Sequence, residues 1–137
     1  MKVAVFGGPR TGKSTFASKL ARELDLPLVS TGKKAVVATD AFIGVPWADV
    51  PDRVRVVLAP LESWILEGCN AGRVIRRWLE MDPELKLDRV YWLERAWVPR
   101  NKGQEAMAKG CRTIFLSILP ELERRGVPIV RGLPDAA

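Results

Sequence analysis

The sequence predicts an α/β protein of three layers, with a five-stranded, mostly parallel sheet between helices, and three observations carry that expectation. Short β-branched runs alternate with longer segments of helical periodicity. The runs KVAVFG (2–7), SWILEG (63–68) and RVYWL (89–93) are compact and apolar, as strands buried between two layers are. Strand-helix alternation of this kind joins parallel neighbours through right-handed crossovers, which puts helices on both faces.

Taken in order, the first strand ends in glycines and runs into a turn that opens a helix from Lys13 to about Leu24. Phe16, Ala17, Leu20, Ala21 and Leu24 recur at helical spacing, Ser18, Lys19, Arg22 and Glu23 face the other way, and Pro27 ends the segment. LPLVST (26–31) reads as a second strand, whereas AVVAT (35–39) suits either a strand or the tail of a helix. Residues 52–59 predict a short helix capped by Asp49 or Asp52, although their valines equally suit a strand. SWILEG closes on an acid and a glycine, the pattern of a central parallel strand that delivers a carboxylate to its carboxyl end. Asn70 then caps a helix that buries Ala71, Val74, Ile75, Trp78 and Leu79, exposes Arg73, Arg76, Arg77 and Glu80, and stops at Asp82-Pro83. After the fourth strand, RVYWL, the polar loop ERAWVPRNKG leads into a long helix with Met107, Cys111, Ile114, Phe115, Ile118, Leu119 and Leu122 on one stripe. Pro120 is expected to kink that helix and Gly126 to stop it, before a fifth strand, VPIVR (127–131), and a loose tail.

At 137 residues the chain fits one domain, residues 1–137, and its 47% apolar and 28% charged residues exclude wholesale disorder and a membrane class. No apolar stretch reaches the length of a span and the start lacks the pattern of a signal peptide, so a cytoplasmic location is expected. With no histidine, and with Cys69 and Cys111 far apart, zinc and histidine chemistry are excluded; any acid or base is a carboxylate, lysine or tyrosine. The net charge of +6 suits an anionic partner, which a nucleotide and a nucleic acid both satisfy. No run of like charges or aromatic-basic repeat singles out the polymer.

Gly7-Gly8-Pro9-Arg10-Thr11-Gly12-Lys13-Ser14 matches G-x-x-x-x-G-K-[ST] in full, between a strand and a helix. Glycines let the backbone bend so that successive N–H groups point at phosphate oxygens, and the helix adds the positive end of its dipole. Gly8, Pro9, Arg10, Thr11, Gly12, Lys13, Ser14 and Thr15 are therefore the expected residues for ATP. Lys13 reaches the β- and γ-phosphates, and Ser14 ligates the Mg²⁺ that bridges them.

On GGPRTGKST, and on STG (30–32), Thr39-Asp40, Leu66-Glu67-Gly68 with Arg73 after it, and the arginine-bearing loop 95–102, the chain resembles the P-loop kinases of the nucleoside and nucleotide kinase group. That group includes adenylate kinases and small phage-encoded kinase-like proteins. The resemblance implies a P-loop NTPase fold in which the acid-glycine pair after the third strand lies beside the phosphate loop, the following arginine holds the acceptor's phosphate, and lid arginines close over the transferring group. Those roles fall to Glu67, to Arg73, and to Arg95 or Arg100. The third strand ends in Glu67 rather than the usual aspartate, the lid is short, and KKAVVATDAF replaces the helical acceptor-binding segment.

The implied activity is transfer of the γ-phosphoryl group of ATP, with Mg²⁺, to a small anionic or nucleoside-like acceptor. Asp40 or Glu67 organises the metal's waters or takes the acceptor's proton. Arg73 and Arg77, one turn apart, either grip a phosphate together or form a solvated face with Glu80. Trp47 could stack on a base, while Trp64, Trp78 and Trp92 lie on core stripes. The alternatives are a polynucleotide 5′-kinase or nucleic-acid-linked NTPase, and a regulatory domain that binds nucleotide without an acceptor. A GTPase is disfavoured because Asn101-Lys102-Gly103-Gln104 lacks the aspartate of the base-reading NKxD motif.

Overall fold

A computed structural model describes residues 1–24, 34–42, 44–96 and 98–131, with only the backbone of Lys34 and Asp40. It is an α/β protein. The strands are β1 (Lys2–Gly7), β2 (Lys34–Ala38), β3 (Ser63–Glu67), β4 (Arg89–Leu93) and β5 (Ile129–Arg131). The helices are α1 (Lys13–Glu23), α2 (Val50–Leu58), α3 (Ala71–Met81) and α4 (Lys102–Arg124). The strands form one sheet in the order β2-β3-β1-β4-β5, and every pairing in it is parallel. The expected strand LPLVST, the segment STG and the tail lie outside the described residues. The ambiguous segment AVVAT is a strand over its first four residues.

Alternation along the strands sorts the core into two layers. Val3 and Val5 of β1, with Ile65 and Tyr91 on its neighbours, pack on Ala17, Leu20 and Ala21 of α1. Ala4 and Phe6, with Trp64, Leu66, Val90 and Trp92, pack on α2, α3 and α4. The period of two thus divides each buried strand between opposite faces, and both are apolar because both are covered. Trp64 and Trp78 stack at 5.8 Å, as do Trp92 and Phe115 at 4.6 Å, so these three tryptophans are core residues.

One expected helix was borne out over its strand alternative, and two local expectations changed. Residues 50–58 are helix despite their valines, because Val50, Val54 and Leu58 bury one stripe against the core. Met107 leaves the apolar stripe of α4, being 44% exposed near the helix's amino end. Asn70 stands at the N-cap of α3 but makes no capping bond with its side chain, since its φ of −94° and ψ of 1° depart from the extended backbone that capping uses. Gly126, at φ 75°, closes α4 as expected. Its N–H donates to Glu123 O and that of Val127 to Leu122 O, the paired bonds of a left-handed helix stop. Among the described residues no helix is long and apolar enough to cross a membrane.

Candidate functional site

The carboxyl ends of β1, β2 and β3 gather the glycine-rich loop, the Thr39–Phe42 3₁₀ turn that follows β2, and the Gly68–Asn70 turn that follows β3. β1 is central, so the loop that leaves it opens between β3 and β4. The backbone there is sharply bent: Arg10 has φ 62°, Gly12 has φ 78° and ends the loop as the N-cap of α1. Thr11 is buried and its hydroxyl donates to Gly8 O at 2.9 Å, which ties the loop across its own base. Lys13 is also buried, and its ammonium donates to the same carbonyl at 2.6 Å. A cation held at the mouth of a helix N-terminus, with no acid in that helix's first turn, leaves the loop attractive to anions.

The loop does not stand alone. Ser14 Oγ donates to Glu67 Oε1 at 3.1 Å, joining the start of α1 to the end of the adjacent strand β3. Glu67 is 5% exposed on an otherwise apolar strand. On the other side the start of α4 and the loop before it close in: Arg100 Nε donates to Pro9 O at 2.7 Å and Arg10 Nε to Gln104 Oε1 at 3.2 Å. A side chain at Gly8 would meet Ala108 at 2.8 Å, so only glycine admits the helix this close. Pro9, Arg10, Lys13, Ser14, Glu67 and Gln104 are among the residues that line an open cavity of about 340 Å³.

A second cavity, of about 370 Å³, lies beside it and shares Cys69 as a wall. Its lining is Thr39, Phe42, Gly44, Val45, Trp47 and Val50 on one side and Asn70 and Met107 on the other. Gly68, at φ 134°, is pressed against Thr39: a Cβ there would lie 1.8 Å from Thr39 Oγ1. Cys111 Sγ donates to Cys69 O at 3.1 Å, and hydrogen bonding with Cys69 together with burial pushes the Cys111 thiol well above its ordinary range. It is a packing thiol rather than a nucleophile.

Lys13, Ser14, Glu67 and Arg100 therefore meet around the glycine-rich loop. Gly8, Pro9, Arg10, Thr11, Gly12 and Thr15 belong to the loop and the start of α1. Asp40 follows β2 in the 3₁₀ turn, two residues beyond the partner of Glu67 in the sheet; its side chain is not described. Arg73 is half-buried in the first turn of α3, with its guanidinium 5.8 Å over the Trp47 ring. Arg77 pairs with Asp52 at 3.4 Å and with Glu80 at 3.9 Å, the solvated arrangement. Arg95 is exposed. Sequence reasoning passed over Gln104 and Ala108, which only the approach of α4 brings to the loop. Asn101 and Gln104 do carry a local signal, the reciprocal cap at three-residue spacing that starts α4.

No protein-family model matches the chain, and no curated protein matches it. The functional reading rests on the chemistry of these residues. Ser14 and Glu67 supply a hydroxyl and a carboxylate oxygen 3.1 Å apart beside the glycine-rich loop, a hard oxygen donor set of the kind that suits Mg²⁺, which is typically bound through one or two protein carboxylates and keeps several waters.

Proposed function

We propose that the chain is a P-loop phosphotransferase that moves the γ-phosphoryl group of ATP to a small acceptor, a nucleotide or nucleoside. The observation that carries the reading is the junction of the G-x-x-x-x-G-K-S loop with a buried carboxylate: Ser14 on α1 bonded to Glu67 on the neighbouring strand, with Lys13 inside the loop. Two cavities that share a wall at Cys69 supply room for a donor and an acceptor side by side.

In this reading Lys13 exchanges the carbonyl of Gly8 for the β- and γ-phosphates, and the backbone N–H groups of Gly8 and of residues 10 to 13 hold the remaining phosphate oxygens, Pro9 having none to give. Ser14 and Glu67 would hold Mg²⁺, which when bound would supply positive charge to neutralise the phosphates. Asp40 or Glu67 accepts the proton of the attacking hydroxyl. Arg100, already bonded to the loop at Pro9 O, offers its remaining guanidinium N–H groups to the transferring group, while Arg73 faces an acceptor phosphate. Catalysis of this kind is positioning and charge screening.

The test is ADP release from ATP and Mg²⁺ with nucleosides, nucleoside monophosphates and short oligonucleotides as acceptors. One or more small acceptors should stimulate release, and Lys13→Ala should abolish it while the melting temperature stays within a few degrees. Release stimulated only by oligonucleotides would replace the small acceptor with a polynucleotide end. A folded Lys13→Ala variant with full turnover would remove the loop from the chemistry.

A further inference from the structure

The cavity beside the phosphate loop contains polar groups that the fold leaves unused. Asn70 is 3% exposed, and neither its Nδ2 nor its Oδ1 has a hydrogen-bond partner among the described residues. Thr39 is 5% exposed and its hydroxyl is in the same position. Burying such groups unpaired costs folding free energy that a partner arriving later returns. Nor does the amide of Asn70 serve the helix it precedes, since the side chain makes no cap and the local bonds run through the backbone, from Ala71 N to Gly68 O and from Val74 N to Asn70 O. The sequence contains three side-chain amides; Asn101 and Gln104 satisfy each other at the start of α4, and Asn70 stands apart.

The remaining walls say what shape of partner fits. Phe42 and Trp47 present rings, and Val45, Val50 and Met107 present aliphatic surface. No lining side chain that is described carries a charge, and a charged body would lose its hydration there without compensation. Arg73 stands near one face of the Trp47 ring, which is otherwise 55% exposed. A primary amide offers a donor and an acceptor side by side, the complement of a ring edge that carries the same pair in reverse.

We propose that this cavity binds a planar, uncharged ring bearing an adjacent hydrogen-bond donor and acceptor, a nucleobase-like edge, and that Asn70, assisted by the Thr39 hydroxyl, is the residue that selects it. Both amide atoms are shielded from water, so the amide turns toward the ring on binding. Naming this ring as part of the phosphoryl acceptor rests on the phosphotransferase reading; its binding does not.

The test is calorimetric titration of the full chain, without ATP, with adenosine, guanosine, cytidine and uridine, and with phenyl riboside as a ring that lacks donor and acceptor. At least one nucleoside should bind about 10-fold or more tightly than phenyl riboside, the scale of one net hydrogen bond gained at the polar edge. Asn70→Leu should erase that preference and leave phenyl riboside binding unchanged. Asn70→Asp, which keeps the size and loses the donor, should reorder the four nucleosides. Trp47→Ala should weaken every ligand together. The proposal is overturned if no member of the panel binds, if nucleosides bind no better than phenyl riboside, or if both Asn70 variants, folded by thermal melting, keep the wild-type order. Nucleoside binding without any ADP release would sink the phosphotransferase reading alone. Turnover of an acceptor that has no such ring, with no nucleoside bound, would sink this one alone.

Discussion

Arg125 and Asn70 are both tucked-in polar side chains at helix ends, and the fold treats them in opposite ways. The Arg125 side chain is 8% exposed and uses four of its five N–H donors. It donates to the carbonyls of Leu79 at 3.0 Å, Asp82 at 2.7 Å and Leu85 at 2.8 Å, and to the Glu121 carboxylate at 2.8 Å. It thereby fastens the end of α4 to the end of α3 and to the chain that leads into β4. Asn70, at the start of α3, has neither end of its amide paired among the described residues. The same contrast runs through the backbone: the positive-φ residues Arg10, Gly12 and Gly68 lie around the glycine-rich loop and the neighbouring turn, whereas Gly126, beside Arg125, closes a helix in the ordinary way. The bonds of Arg125 hold two helix ends together; of the buried polar atoms without a partner among the described residues, Thr39 Oγ1 and both amide atoms of Asn70 belong to residues of the cavity proposed for a ligand, whereas Arg55 Nε and Trp64 Nε1 lie outside it.

Four measurements sharpen or break that contrast, beginning with the largest expected effect. Gly68→Ala should cost about 4 kcal/mol in denaturant unfolding, because strained backbone adds to the collision with Thr39; a neutral result would mean that the turn after β3 is not held tightly. Arg125→Met should cost about 3 kcal/mol by leaving three carbonyls and a carboxylate short of a donor, with the nucleoside binding proposed for the Asn70 cavity unchanged per folded molecule. Equal loss of binding would contradict the division of labour between the two ends.

Asn70→Leu should raise stability by about 1 kcal/mol, since an apolar group of similar volume replaces an unpaired amide. Destabilisation would show that Asn70 serves the fold after all.

The smallest effect is a pH dependence. Hydrogen bonds from Arg124 and then Arg125 hold the Glu121 carboxyl at about 2, below its ordinary 4.5. A depressed carboxyl stabilises the folded chain fully above 4.5 and loses that contribution as pH falls through about 2. Glu121 is solvated and its partners are screened, so the contribution is small; a carboxyl titration by NMR should place its midpoint near 2 in wild type and return it toward the ordinary value in Arg125→Met.

Much of this was legible in the sequence, because burial on two faces and on one face leave different marks. β1, β3 and β4 read as compact apolar runs, and α3 could be traced residue by residue because Ala71, Val74, Ile75, Trp78 and Leu79 obey the helical period. The loop from Gly7 to Ser14 was equally plain, since spacing and residue type together set its backbone. Residues 35–39 were not, because a short run of alanines and valines satisfies strand and helix alike until a neighbouring strand, here β3, offers its hydrogen bonds. Asn70 misled for a related reason: asparagine before an amphipathic run signals a cap, and whether its side chain turns back to the helix depends on a φ and ψ that the packing of Gly68 against Thr39 constrains.

By itself, then, the sequence determined the layers, the parallel connections and the residues of the glycine-rich loop, all of which depend on contacts or periodicities within a few residues. The tertiary structure decided that Glu67 meets Ser14, that Arg100 and Gln104 on or beside α4 flank the loop, and that Thr39 and Asn70 share one cavity. Those meetings join residues 31 to 94 positions apart, and local propensity carries no information about them; they follow from the order in which five parallel strands pair, which sets the carboxyl end of β1 between those of β3 and β4.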